Sequence, residues 1–138
     1  MFFDGAANKK EAGIGAVLIS ESGSHFPVAA KLKFEEDSII TNNIVEYEAC
    51  IMGLLLALQY KIKELIVCGD SDLIIQQSNE VYKTRDLKLT PYHQKVMELR
   101  ESFDDIDFIH VPRADNSFAD ALATLAAAIK FHDEEAIP

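Results

Sequence analysis

The sequence predicts an α/β fold, a five-stranded mixed sheet flanked by helices on both faces. Three observations carry this reading. Short alternating segments open the chain, a long apolar helix follows them, and two later short strands are each followed by helical segments. With 138 residues, the chain can bury one sizeable core and fits a single domain.

The elements follow in order. Met1 to Asp4 reads as the stub of a first strand. Ile14 to Ser20 alternates with small residues and gives a second, Glu21-Ser22-Gly23-Ser24 a turn, and Val28 to Phe34 a third. These three are expected to form an antiparallel meander. Asn43, with Glu46 three residues on, has the spacing of a capping box, and an apolar helix runs from there to about Tyr60. Its Ala49, Ile51, Met52, Leu54, Leu55, Leu56 and Leu58 nearly encircle it, as expected of a helix packed on a sheet with little surface in water.

Leu65-Ile66-Val67-Cys68 is a continuous apolar strand of the kind found in parallel pairings. Asp70 or Ser71 can cap a short helix reaching about Ser78. Thr90-Pro91 opens another, with proline at its first position, ending near Phe103. Ile106 to Val111 is the last strand, and Pro112 stops it. Asn116 is placed to cap an alanine-rich helix through about Phe131. The expected domain therefore covers residues 1–131, with 132–138 as an acidic tail.

Composition is that of an ordinary globular protein, 49% hydrophobic and 26% charged. No apolar run reaches the length of a membrane span, and Met1-Phe2-Phe3-Asp4 lacks the basic-then-apolar layout of a signal peptide. No membrane partner is expected. Cys50 and Cys68 have no second Cys/His pair at zinc-ligand spacing, so they are expected to be buried free thiols in a reducing compartment. The net charge of −10 disfavours an unaided grip on a polyanion, which needs clustered Lys and Arg. It suits a metal-binding protein, or a domain whose hold on nucleic acid is supplied by a neighbour.

Four acids stand in recognisable local frames: Asp4-Gly5-Ala6, Thr41-Asn42-Asn43-Ile44-Val45-Glu46, Gly69-Asp70-Ser71, and Asn116-Ser117-Phe118-Ala119-Asp120. Singly, each has a plain explanation. Asp-Gly is a turn dipeptide, Glu46 can satisfy donors at a helix start, Asp70 can cap, and Asp120 suits a first helical turn. Jointly they fall at strand ends and helix starts, which share one rim in an α/β sheet. Carboxylates gathered there repel one another unless cations neutralise them. Oxygen ligands favour Mg²⁺ or Mn²⁺ over zinc, and two such ions can clamp an in-line phosphoryl displacement.

With those motifs the chain resembles the type 1 ribonuclease H family. It is most similar to the domains attached to reverse transcriptases in plant LTR retrotransposons, and to their small cellular relatives. The matching text is Asp4-Gly5-Ala6-Ala7-Asn8, Thr41 to Ala49, Gly69-Asp70-Ser71, and His110-Val111-Pro112-Arg113 leading to Asn116 and Ala119 to Ala123. It extends over residues 1 to about 128. The resemblance implies a ribonuclease H-like sheet and a quartet of Asp4, Glu46, Asp70 and Asp120. That quartet would bind two Mg²⁺ ions, with Mn²⁺ as a substitute, and cut the RNA strand of an RNA/DNA hybrid. The products would carry 5′-phosphate and 3′-hydroxyl ends. Glu46 would also accept from the 2′-hydroxyl that distinguishes RNA from DNA. Gly5, Asn8, Asn43, Ser71 and Arg113 would contact the hybrid. A covalently linked reverse transcriptase domain and an intracellular setting, whether cytoplasm, virus-like particle or nucleus, belong to the same implication.

Departures and rivals complete the reading. The resemblance also implies a mobile basic residue after the last strand that assists product release. Many relatives use a histidine in the loop before the last helix, where this chain has Arg113-Ala114-Asp115, and Arg113 can take that role. His110, on the strand, is read as structural; His25, His93 and His132 are read as solvated, and Tyr47 as a core or rim aromatic. Asp72 replaces an amide side chain common in relatives. A basic protruding segment is absent, with only Lys83, Arg85 and Lys88 between the central helices. A proofreading exonuclease would need an acid at position 6, where Ala6 stands, and a strand-transfer enzyme a Glu in place of Asp120. The remaining alternative is a catalytically silent module of the same fold in a polyprotein; the presence of all four acids argues against it.

Overall fold

A computed structural model describes residues 1–7, 11–34, 41–79 and 86–129. Asn8, Lys83, Arg85, the expected end of the last helix at Phe131, His132 and the acidic tail lie outside those residues.

Strands β1 (Phe2–Ala7), β2 (Glu11–Ile19) and β3 (His25–Lys33) form the antiparallel meander, followed by α1 (Asn42–Gln59). Then come β4 (Glu64–Gly69), α2 (Asp72–Asn79), α3 (Thr90–Arg100), β5 (Asp105–His110), a 3₁₀ turn over Arg113–Asn116, and α4 (Ser117–Ala128). The sheet order is β3-β2-β1-β4-β5, with β4 parallel to both β1 and β5. The central strand is therefore β1. It runs three residues past the expected stub, so Asp4-Gly5 pairs with Gly15 and Ile14 rather than turning.

Helices cover both faces. Gly5 and Ala16 face α1, whereas Gly13 and Gly15 face α4. A Cβ on Gly13 would lie 2.0 Å from the Ala123 carbonyl oxygen, so only glycine lets α4 approach this closely. The buried Ala119, Ala123 and Ala126 supply the matching small face of that helix. On the other side α1 meets α2 and α3 over a core that includes Phe3, Val45, Tyr47, Leu54, Val67, Ile74, Val96 and Phe108. Among the described residues no helix is long and apolar enough to cross a membrane.

The structure corrects some of the expectations and decides between the alternatives in others. Thr41, not Asn43, caps α1: its Oγ1 accepts from Ile44 N at 3.2 Å. That frees Glu46 from capping duty. Ser71 rather than Asp70 caps α2, accepting from Ile74 N at 3.4 Å. Asn116 occupies the position before α4 without making a cap bond, and α4 ends at Ala128, where Ile129 turns to extended backbone. Leu55 is exposed, so α1 is not sheathed all round. His93 is only 3% exposed and bonds the Gln77 carbonyl through Nε2 at 2.9 Å; it is a core histidine, not a solvated one. Cys50 is buried but Cys68 only half-buried; both are free thiols. Tyr47 lies in the core.

Candidate metal-binding active site

The four acids reach one cavity of about 590 Å³ from four different elements. Asp4 comes from the middle of β1, Glu46 from the second turn of α1, Asp70 from the end of β4, and Asp120 from the first turn of α4. The parallel pairing of β1 with β4 brings Asp4 and Asp70 to the same rim. One oxygen from each of Asp4, Glu46 and Asp70 lies within 4.8 Å of the other two. Asp120 stands outside this tight trio, yet its side chain interacts with the Asp4 carboxyl across the cavity.

Burial makes the cluster expensive in charge. Asp4 is 4% exposed and Glu46 9%, while Asp70 and Asp120 are half-buried. The Gly5 N–H donates both to Asp4 Oδ1 at 2.9 Å and to Glu46 Oε1 at 3.1 Å. Glu46 Oε2 is buried with no hydrogen-bond partner among the described residues. Desolvation first, then the adjoining Asp4 carboxyl, pushes Glu46 up to about 9. Desolvation, together with the Asp70 and Asp120 carboxylates, raises Asp4 to about 6, even though the neighbouring Glu46 carboxyl and the Gly5 N–H act the other way. Burial and crowding thus raise both carboxyls and favour a proton held between them in the metal-free protein. Buried oxygens with an unused lone pair, set on fixed secondary structure, fit a hard divalent cation well.

The expected contact residues Gly5, Asn43, Ser71 and Arg113 all line the cavity with the quartet. Arg113 is 80% exposed at its side chain and sits 3.9 Å from Asp120 Oδ1. Three further polar residues of the lining were not among the expected site residues: Asn42, His110 and Thr124. His110 was assigned a structural place, but it is exposed at the cavity edge, with Nε2 3.2 Å from the Asp70 carbonyl oxygen. The signal that could have found it is register, since His110 pairs with Gly69, the residue before Asp70.

The chain is similar to known proteins in sequence and in fold. A family model described as "Reverse transcriptase-like" matches residues 2–126. The chain is 36% identical over 129 residues to a Ribonuclease HI of Halobacterium salinarum, covering 91% of this chain. It spans 62% of the length of that curated relative. The crystal structure of RNase H1 from the same archaeon superposes with TM-score 0.81 at 34% identity, over 91% of this chain and 93% of that one. LC11-RNase H1 in complex with RNA/DNA hybrid superposes with TM-score 0.79 at 30% identity, over 91% and 94%. A foamy viral protease-reverse transcriptase shares the fold alone, with TM-score 0.76 at 18% identity, over 92% of this chain and 19% of that one. By sequence match and by fold, the chain belongs to the reverse transcriptase-like family of type 1 ribonucleases H.

Proposed function

We propose that this chain is an endonuclease that hydrolyses the RNA strand of RNA/DNA hybrids, with Asp4, Glu46, Asp70 and Asp120 holding two Mg²⁺ ions, which Mn²⁺ can replace. The observation that carries this reading is the convergence of Asp4, Glu46 and Asp70 oxygens within 4.8 Å at the floor of an open cavity. The LC11-RNase H1 complex supports the choice of hybrid as substrate. When bound, paired divalent ions supply an activated water and charge stabilisation for the leaving 3′-oxygen, which leaves 5′-phosphate and 3′-hydroxyl ends.

The protein's own residues do the rest. Asp4, on β1, and Asp70, directly after β4, bring their carboxylates together. Glu46 is held by its bond from Gly5 N–H and lines the cavity, and its carboxylate is the proposed acceptor for the 2′-hydroxyl that marks RNA. The Gly5 backbone, Asn43 and Ser71 lie beside the quartet, where they can orient the sugar-phosphate chain, and Asn8 is proposed to extend that contact. Arg113, exposed at the rim, is placed to meet phosphate and to exchange partners with Asp120.

A reverse-transcription setting, a covalently linked polymerase domain and an intracellular location belong to the same reading. A net charge of −10 supports the linkage, because a neighbouring domain can supply the local concentration that an acidic surface does not. A catalytically silent module is the rival, and the complete quartet weighs against it.

The test is incubation of the chain with strand-labelled RNA/DNA hybrid in Mg²⁺, in Mn²⁺ and in chelator. Cleavage confined to the RNA strand, dependent on added metal and leaving 5′-phosphates, is expected. Equal cutting of both strands, or cutting unaffected by chelator, would overturn the proposal.

A further inference from the structure

Asn116 is 1% exposed, a place where an amide needs a defined partner. Its Nδ2 donates to the Phe3 carbonyl at 2.9 Å, across 113 residues of sequence. Since that carbonyl can only accept, the amide nitrogen must be the atom facing it. The acceptor belongs to the peptide unit that joins Phe3 to Asp4. Holding that plane holds the backbone from which the Asp4 carboxylate departs.

The bond sits where the sheet begins to part. Pairing between β1 and β4 is confined to Phe2↔Cys68, and just beyond it the Phe3 carbonyl takes its donor from Asn116. Asn116 also ends the 3₁₀ turn Arg113–Asn116 and directly precedes α4, with Asp120 four residues on. A residue kept only to start the helix would turn its oxygen toward the first N–H groups of α4. Asn116 makes no such bond, and its buried Oδ1 has no hydrogen-bond partner among the described residues. Its side chain serves β1 instead.

We propose that Asn116 is a positioning residue: by tying the Phe3–Asp4 peptide to the start of α4, it sets the separation of Asp4 and Asp120 and hence the shape of the metal-binding cavity. This rests on the metal-dependent reading above, and the experiment distinguishes failure of one from failure of the other. A displacement of about 1 Å at a reacting centre can cost on the order of a hundredfold in rate.

Three proteins are compared: the wild type, Asn116→Ala, and Val96→Ala. Val96 is a fully buried core residue on α3, away from the cavity lining, and matches loss of stability without touching the site. Each is melted with and without Mg²⁺ and Mn²⁺, and assayed on hybrid for kcat, KM and the Mg²⁺ midpoint at a temperature where it is folded. Asn116→Ala is expected to lose most of the metal-induced rise in Tm, to shift the Mg²⁺ midpoint upward, and to lower kcat by about tenfold to a hundredfold with KM unchanged. Val96→Ala keeps the wild-type metal response and kcat. Should Asn116→Ala fail to fold, Asn116→Ser carries the same comparison with a short hydroxyl donor. A metal response and kcat equal to those of Val96→Ala would overturn the positioning role. A wild type that neither responds to metal nor cleaves hybrid would defeat the metal-dependent reading, and this proposal with it.

Discussion

Gly5 and Glu46 meet where α1 crosses the central strand, the Gly5 backbone N–H donating to Glu46 Oε1 at 3.1 Å. The approach is possible because residue 5 has no side chain: a Cβ there would lie 2.6 Å from Val45 Cγ1 and 3.1 Å from the Val45 carbonyl oxygen. Gly5→Ala is therefore expected to push α1 away from β1 and break the Glu46 bond. Overpacking of this kind costs about 1–3 kcal/mol. Denaturant unfolding should read that loss, and hybrid cleavage should fall further than the lost folded fraction explains. Wild-type stability would show that the contact yields cheaply.

The charge of Asp70 helps raise both Asp4 and Glu46. Asp70→Asn relieves that repulsion while removing a ligand. It is expected to abolish cleavage, to stabilise the metal-free protein slightly, and to remove the metal-induced rise in Tm. At a free Mg²⁺ concentration about a hundred times Kd, the wild type should gain about 2.7 kcal/mol. Differential scanning calorimetry of both proteins, in chelator and in Mg²⁺, checks all three outcomes.

The quartet was legible because each acid carries its own local frame, and the order of elements was legible because hydrophobic period changes sharply along the chain. What was not legible was the choice between near and distant partners. The Asn43–Glu46 spacing satisfies a capping box, yet Thr41 reaches the helix N–H groups first and Glu46 bonds a strand instead. Asn116 has the composition of a cap, but its amide serves the Phe3 carbonyl. His93 looked solvated because helix position alone does not say which face is buried; the Gln77 carbonyl of α2 decides it. His110 became a cavity residue only once strand register was known.

Carboxylates whose folded values lie above their unfolded ones stabilise the protein at low pH and lose that contribution as pH rises. Asp4 moves from 3.8 to about 6 and Glu46 from 4.5 to about 9, burial being the main cause for each. Well below 3.8 both are protonated in either state, and the contribution is intact. It declines as pH climbs through about 6 for Asp4 and on toward 9 for Glu46. The metal-free wild type, compared with Asp4→Asn/Glu46→Gln, should therefore lose relative stability between pH 4 and 9, and Mg²⁺ affinity should rise over the same window as protons are displaced. A flat difference in Tm across that range would contradict the assignment.

Arg113 and Asp120 form an exposed pair at 3.9 Å, a geometry worth well under about 1 kcal/mol. Arg113→Ala is expected to leave Tm within experimental error. Its effect should fall on turnover, with steady-state kcat reduced and a single-turnover cleavage step less affected. A change confined to KM would reassign Arg113 to binding alone.

The account turns on whether the quartet binds ions as a unit. Anomalous diffraction from crystals grown with Mn²⁺ and an uncleaved RNA/DNA hybrid measures this most directly. Two anomalous peaks in the cavity are predicted, coordinated between them by Asp4, Glu46, Asp70 and Asp120. An empty cavity at saturating Mn²⁺, or a peak that Asp4 does not touch, would contradict it.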